Sequence, residues 1–214
     1  MFGAFKKLAI MSSVMLGGAQ AGFAEQQVAI FAGGCFWCVE SDFESVPGVI
    51  KAESGFIGGS SKTAKYKVVS KGGTGHYEAV RIVFDSEKIS YKALLHKFWR
   101  TVDPTDAGGQ FCDRGDSYRT AVFTTSSTQV SVAQKSKSTA QTALGKKIVT
   151  PIKSAGSFFV ADEFHQDYYK SSKKVLTRFG LVQRKVAYKK YRKACGRDAR
   201  VKQLWGSQAG QLGS

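Results

Sequence analysis

The chain has 214 residues, 43% hydrophobic and 12% aromatic, which suits one domain with a well-filled core and an appendage at either end. Four cysteines in this length exclude a small disulfide scaffold. A formal net charge of +16 would suit an anionic surface or an acidic partner. No zinc-finger spacing or RNA-binding aromatic signature accompanies that charge, so no specific nucleic-acid partner is expected.

Residues 1–24 read as a separate object. Lys6 and Lys7 precede a mostly apolar run from Leu8 to Gly18, and small residues then offer cleavage after Ala21 or Ala24. This is the layout of a secretory signal peptide. The run is short for a membrane anchor and is interrupted by Ser12 and Ser13. No later segment is long and apolar enough to cross a bilayer. The expectation is an exported, monomeric protein of the bacterial periplasm, with its main domain over 25–180 and a basic tail over 181–214. From His165 onward 13 Lys and Arg stand against two acids, Asp167 and Asp198, which reads as a solvated basic face.

In chain order, Val28–Ala32 reads as a short buried strand ended by Gly33-Gly34, and Phe36 to about Val46 as a helix closed by Pro47-Gly48. Val49–Phe56 is a second strand, followed by a Gly- and Ser-rich turn over 58–61. Glu78–Phe84 alternates, with Glu78, Val80, Ile82 and Phe84 on one face. Ser90 is the expected N-cap of a helix whose apolar positions are Tyr91, Leu94, Leu95, Phe98, Trp99 and Val102, broken by Asp103-Pro104. A strand over 118–124, a polar helix over 127–144, a strand over 157–160 and a basic helix over 182–194 complete the reading. Loose alternation with uneven connections predicts an α/β or α+β domain, its helices packed on a mixed sheet.

The most informative segment is Gly34-Cys35-Phe36-Trp37-Cys38. A glycine pair after a buried strand lets the backbone turn into a helix, so Cys35 lies at the helix N-terminus. Unpaired N–H groups and the helix dipole there favour the thiolate, the attacking form of cysteine. Taken alone, the spacing also fits two buried core cysteines or a thioredoxin-like disulfide exchanger using Cys35 and Cys38. His76, His96 and His165 form no ligand pattern with the cysteines, so no metal is expected.

Gly33-Gly34-Cys35-Phe36-Trp37 resembles the active-site signature of the A-type peptide methionine sulfoxide reductases. Thr74-Gly75-His76-Tyr77-Glu78, Asp113-Arg114-Gly115 with Tyr118-Arg119, and Tyr66 match further family segments in order, over about residues 27–170. The resemblance implies a two-layer sandwich around a mixed, partly rolled sheet. It implies reduction of methionine S-sulfoxide in proteins or peptides, and in the free amino acid, with no cofactor and with electrons from a thioredoxin-like protein.

A sulfoxide sulfur is a poor electrophile until its oxygen takes a proton or strong hydrogen bonds. The resemblance assigns Cys35 as nucleophile, Glu78 as acid, and Tyr66 and Tyr118 as hydroxyl donors. Phe36, Trp37 and Asp113 would shape the substrate pocket. A second thiol should condense with the Cys35 sulfenic acid to form a disulfide, and both Cys195 and Cys38 are candidates. Cys112 stands where the family usually has asparagine, and is read as a packing substitution rather than a third redox thiol.

Overall fold

The structure is a computed structural model that describes residues 25–212. The expected signal peptide lies outside the described residues. The elements in chain order are β1 (Gln26–Gly33), α1 (Phe36–Glu44), β2 (Val49–Ile57), α2 (Tyr66–Val69), β3 (Tyr77–Asp85) and α3 (Tyr91–Trp99). Then come β4 (Gly109–Gln110), β5 (Asp113–Arg114), β6 (Thr120–Thr124), α4 (Ser127–Leu144), β7 (Ile152–Ser154) and β8 (Phe158–Val160). The chain closes with β9 (Lys174–Thr177), β10 (Gly180–Gln183), α5 (Arg184–Ala194) and α6 (Arg197–Trp205).

Six strands form one mixed sheet in the order β7-β6-β1-β3-β2-β8, antiparallel except for the β6–β7 pair. Two short hairpins, β4–β5 and β9–β10, stand apart from it. This is the mixed-sheet α/β fold expected from the alternation. Period-two side chains divide the sheet into two faces. Ala29, Phe31, Val80, Ile82 and Phe84 join the main core with residues of α1, α3 and α4, while Ile30, Ala32, Ala79, Ala121 and Phe123 form a smaller cluster on the other face.

The local signals acted as the sequence implied. The Ser90 hydroxyl accepts the Ala93 N–H at 3.1 Å, and Ser126 caps α4 through the Gln129 N–H at 3.2 Å. Gly145, in the left-handed region at φ 64°, closes α4. Tyr118 differs from expectation, lying in a one-turn 3-10 helix before β6 rather than in the strand. The short strands at 109–114, 152–154 and 174–183 carry too few residues for a period to show.

The larger departure is at the C-terminus. The basic helix is present as α5, but residues beyond it are built into the domain. Val201 and Trp205, one turn apart on α6, enter the main core. Arg197 is only 2% exposed. Its Nη1 donates to the Gly33 carbonyl at 3.0 Å, and its Nη2 lies 3.7 Å from Asp42. Arg200 donates to Asp103 at 2.7 Å, and Arg192 pairs with Asp42 and Asp198. Four of the 13 basic side chains from His165 onward, Lys170 among them, are therefore paired with acids. Trp205→Ala should lower the unfolding free energy by about 3–5 kcal/mol in urea titration, as expected for a core aromatic rather than a solvated tail.

Among the described residues, no helix is long and apolar enough to cross a membrane.

Candidate active site

The turn from β1 into α1 brings the site together. Gly34 has φ +83°, and a Cβ there would meet the Gln110 side chain at 2.6 Å, so both backbone and space require glycine. At Gly33 a Cβ would meet Val39 and Val102, each at 2.9 Å. Cys35 is thereby placed at the N-cap of α1 and Cys38 one turn on, with the Cys38 N–H bonded to the Cys35 carbonyl at 3.0 Å. Both thiols are free, Cys35 6% and Cys38 2% exposed.

Glu78 reaches them from β3. It is 1% exposed, on the strand face it shares with Val80 and Ile82, and its Oε2 accepts the Phe36 N–H at 3.1 Å. Its Oε1 is buried without a partner. Burial pushes the carboxyl up to about 8, helped by the negative charge of Asp113 and opposed by the Phe36 N–H and the Tyr118 hydroxyl. Glu78 is therefore a protonated acid at neutral pH.

That geometry corrects one expectation. The helix terminus was expected to hold Cys35 as a thiolate, yet its first N–H is given to Glu78. The Cys35 thiol is instead raised, first by its hydrogen bond with Cys38 and then by burial. Cys38 is lowered, first by the hydrogen bond from Cys35 and further by Arg197 and Arg192. The two thiols are therefore hydrogen-bonded to each other and share one buried environment.

Tyr66 opens α2, and its ring packs on Phe36 and His165 at centroid distances of 6.1 and 4.3 Å. Burial raises both the Tyr66 and Tyr118 hydroxyls, with Glu78 the next cause, so both stay protonated as donors. Phe36 is buried in the main core and forms the floor of the site. Trp37 is half-buried and stacks on Tyr168 at 3.8 Å with an interplanar angle of 7°. Trp37 lines a cleft of about 230 Å³, closed by Tyr168, Phe179, Tyr188 and Tyr191. A larger cavity of about 780 Å³ contains no cysteine and is not the reactive site.

Asp113 lies on β5, its carboxyl raised by burial against the lowering effect of the Tyr191 hydroxyl that donates to it. Sequence reasoning did not single out Tyr191, Tyr168, His165 or Arg197. Only the return of the chain after residue 160 brings them here, and nothing local to each residue signals that return.

Cys112 is the second correction. Rather than a packing residue, it is exposed and disulfide-bonded to Cys195, with a Cα–Cα distance of 4.9 Å. The partners are 83 residues apart, Cys112 between β4 and β5 and Cys195 at the C-cap of α5. Among the described residues, two acidic or thiol clusters have metal-like spacing, but both are engaged. The sulfurs of Cys112 and Cys195 are bonded to each other. Glu40 accepts from Ser54 and the Asp167 N–H, and Glu44 from Tyr169 and Lys170.

An enclosed thiol pair beneath a buried, protonated carboxylic acid and two tyrosine hydroxyls is the equipment of a thiol reductase acting on an oxidised sulfur. Known proteins agree. A family model described as peptide methionine sulfoxide reductase matches residues 27–205. Peptide methionine sulfoxide reductase MsrA 2 of Caulobacter vibrioides is 49% identical over 181 residues, covering 84% of this chain and 86% of its own. MsrA of Bacillus licheniformis is 41% identical over 184 residues, covering 85% and 95%. Among solved structures, reduced Mxr1 from Saccharomyces cerevisiae has a TM-score of 0.67 at 26% identity, covering 75% of this chain and 93% of that one. Methionine sulfoxide reductase A of Corynebacterium diphtheriae has a TM-score of 0.59 at 26% identity, covering 69% and 75%. The chain belongs to the peptide methionine sulfoxide reductase family, on its A-type branch.

Proposed function

We propose that Cys35 and Glu78 carry out the reduction that family membership assigns to this chain, that of methionine S-sulfoxide in peptides and proteins to methionine. The observation that carries this reading is a buried Glu78 carboxyl bonded to the Phe36 N–H, next in sequence to the buried Cys35 thiol. The sulfoxide oxygen takes hydrogen bonds from Tyr66 and Tyr118 and a proton from Glu78, which makes its sulfur electrophilic. Cys35 gives up its proton as it attacks, and that proton replaces the one Glu78 passed to the oxygen. The sulfoxide S–O bond breaks, methionine leaves, and the oxygen stays on Cys35 as a sulfenic acid. Cys35 is oxidised by two electrons and the substrate sulfur is reduced by two. The apolar surface of Trp37 and Phe36 receives the S-methyl group.

Cys195 resolves the sulfenic acid as a disulfide, with Cys38 as the alternative within the pair. A thioredoxin-like protein supplies the electrons, a reading supported by the crystal structure of yeast Mxr1 in complex with Trx2. The N-terminal sequence supports export to the periplasm, where N-terminal sequencing of the mature protein should start after Ala21 or Ala24.

The direct test supplies the purified protein with a dithiol and epimerically resolved methionine sulfoxide peptides, and quantifies methionine by mass spectrometry. Turnover of the S epimer alone is expected. Equal turnover of both epimers, or of neither by a folded protein with free thiols, would overturn the reading.

A further inference from the structure

We infer that Cys112 is the terminal thiol of an electron relay, and that the Cys112–Cys195 disulfide is the form in which the enzyme is handed to its reductant. This rests on the reading of Cys35 as the nucleophile.

The first observation is which sulfurs are bonded. Cys35 and Cys38 are free while Cys112 and Cys195 are joined. A resolving disulfide that ended at Cys35 would offer a reductant only its Cys195 sulfur, because Cys35 is 6% exposed. Cys112 is exposed and Cys195 half-buried, so moving the bond to Cys112 presents a protein dithiol with a more accessible sulfur.

The second observation is continuity between that disulfide and the reacting centre. Cys112 precedes Asp113, whose charge is felt at both Cys35 and Glu78. Cys195 follows Tyr191 by one helical turn, with its N–H bonded to the Tyr191 carbonyl at 2.9 Å. The Tyr191 hydroxyl donates to Asp113 and lies 3.8 Å from the Cys112 sulfur. One end of the disulfide is thus fixed beside the pocket wall, and the other rides on the helix that covers the thiols.

The relay balances as follows. The Cys195 thiol attacks the sulfur of the Cys35 sulfenic acid, forming a Cys35–Cys195 disulfide and releasing water. The Cys112 thiolate then attacks the Cys195 sulfur, the Cys35–Cys195 bond breaks, and Cys35 leaves and takes up the proton that Cys112 gave up. A thioredoxin-like dithiol finally reduces the Cys112–Cys195 bond, becoming a disulfide itself and returning two thiols. Cys35 is regenerated before the reductant arrives.

The test uses the full chain, reduced and freed of reductant, given one equivalent of S-sulfoxide peptide, alkylated and mapped by mass spectrometry. Wild type should release about one methionine per chain, then show Cys112–Cys195 bonded with Cys35 and Cys38 alkylated. Cys112→Ser should stop at a Cys35–Cys195 disulfide. Its thioredoxin-driven turnover should fall by about tenfold or more relative to its dithiothreitol-driven turnover, a ratio that a purely structural bridge would not move. Cys112→Ala should repeat the result, and turnover with dithiothreitol reports that each variant is folded. Wild type ending with Cys112 alkylated, or an unchanged ratio in both variants, would overturn the relay. Absence of any methionine from wild type would instead overturn Cys35 as nucleophile, so the two failures are distinguishable.

Discussion

Cys35→Ser should lower the rate of methionine formation by about three orders of magnitude or more with any reductant, while the protein stays folded. The magnitude follows from the chemistry. Only a sulfur nucleophile can take the sulfoxide oxygen as a sulfenic acid and later surrender it by disulfide formation. A serine hydroxyl at the same N-cap is a good helix cap, so the fold should not suffer. Cys38 remains in the variant, one turn away, but it lies below Cys35 in the helix and is the less exposed of the two. Single-turnover measurement of methionine release, with circular dichroism as the folding control, checks the prediction. A variant that retained more than a few per cent of wild-type turnover would move the nucleophile to Cys38.

Glu78→Gln should reduce kcat/KM by about 10²–10³-fold at neutral pH, the range for loss of a positioned general acid. The amide keeps the shape and can still approach the Phe36 N–H, but it has no proton to give. The pH dependence is the sharper readout. Wild-type rate should fall as pH rises through about 8, where Glu78 loses its proton, and the residual rate of the variant should not show that step. Stability should follow the same group. The folded carboxyl titrates near 8 against an ordinary value of 4.5, so the folded state binds the extra proton between those limits. The stability Glu78 contributes is then full below about 4.5 and lost as pH rises through about 8. Glu40, raised by burial to about 7, adds a loss over a lower window that the variant retains. The difference between wild-type and Glu78→Gln unfolding curves isolates the upper one. A variant within threefold of wild type, or one that keeps the alkaline step, would remove Glu78 from the role of acid.

The sequence by itself determined the local elements and the reacting centre. Ser90 and Ser126 capped their helices because a side-chain oxygen beside a helix start satisfies an unpaired N–H wherever it occurs. Glu78 was placed on the face of Val80, Ile82 and Phe84 because alternation along one strand needs no knowledge of its neighbours. Gly33-Gly34 marked the turn that sets Cys35 at the helix start, since φ +83° at Gly34 suits glycine.

What the tertiary structure decided concerns partners distant along the chain. The helix N-terminus was expected to charge Cys35, but Glu78, 42 residues away, takes the Phe36 N–H and the thiol is raised instead. The basic segment read as a solvated tail holds Val201 and Trp205 in the core and gives Arg197 to the Gly33 carbonyl, because its charges meet Asp42 and Asp103 across the fold. Cys112, read as packing, bonds Cys195 across 83 residues. Capping and strand parity act over a few residues and leave a pattern in the sequence. A pKa or a disulfide depends on which groups the folded chain brings within a few ångströms, and residue order carries no direct record of that proximity.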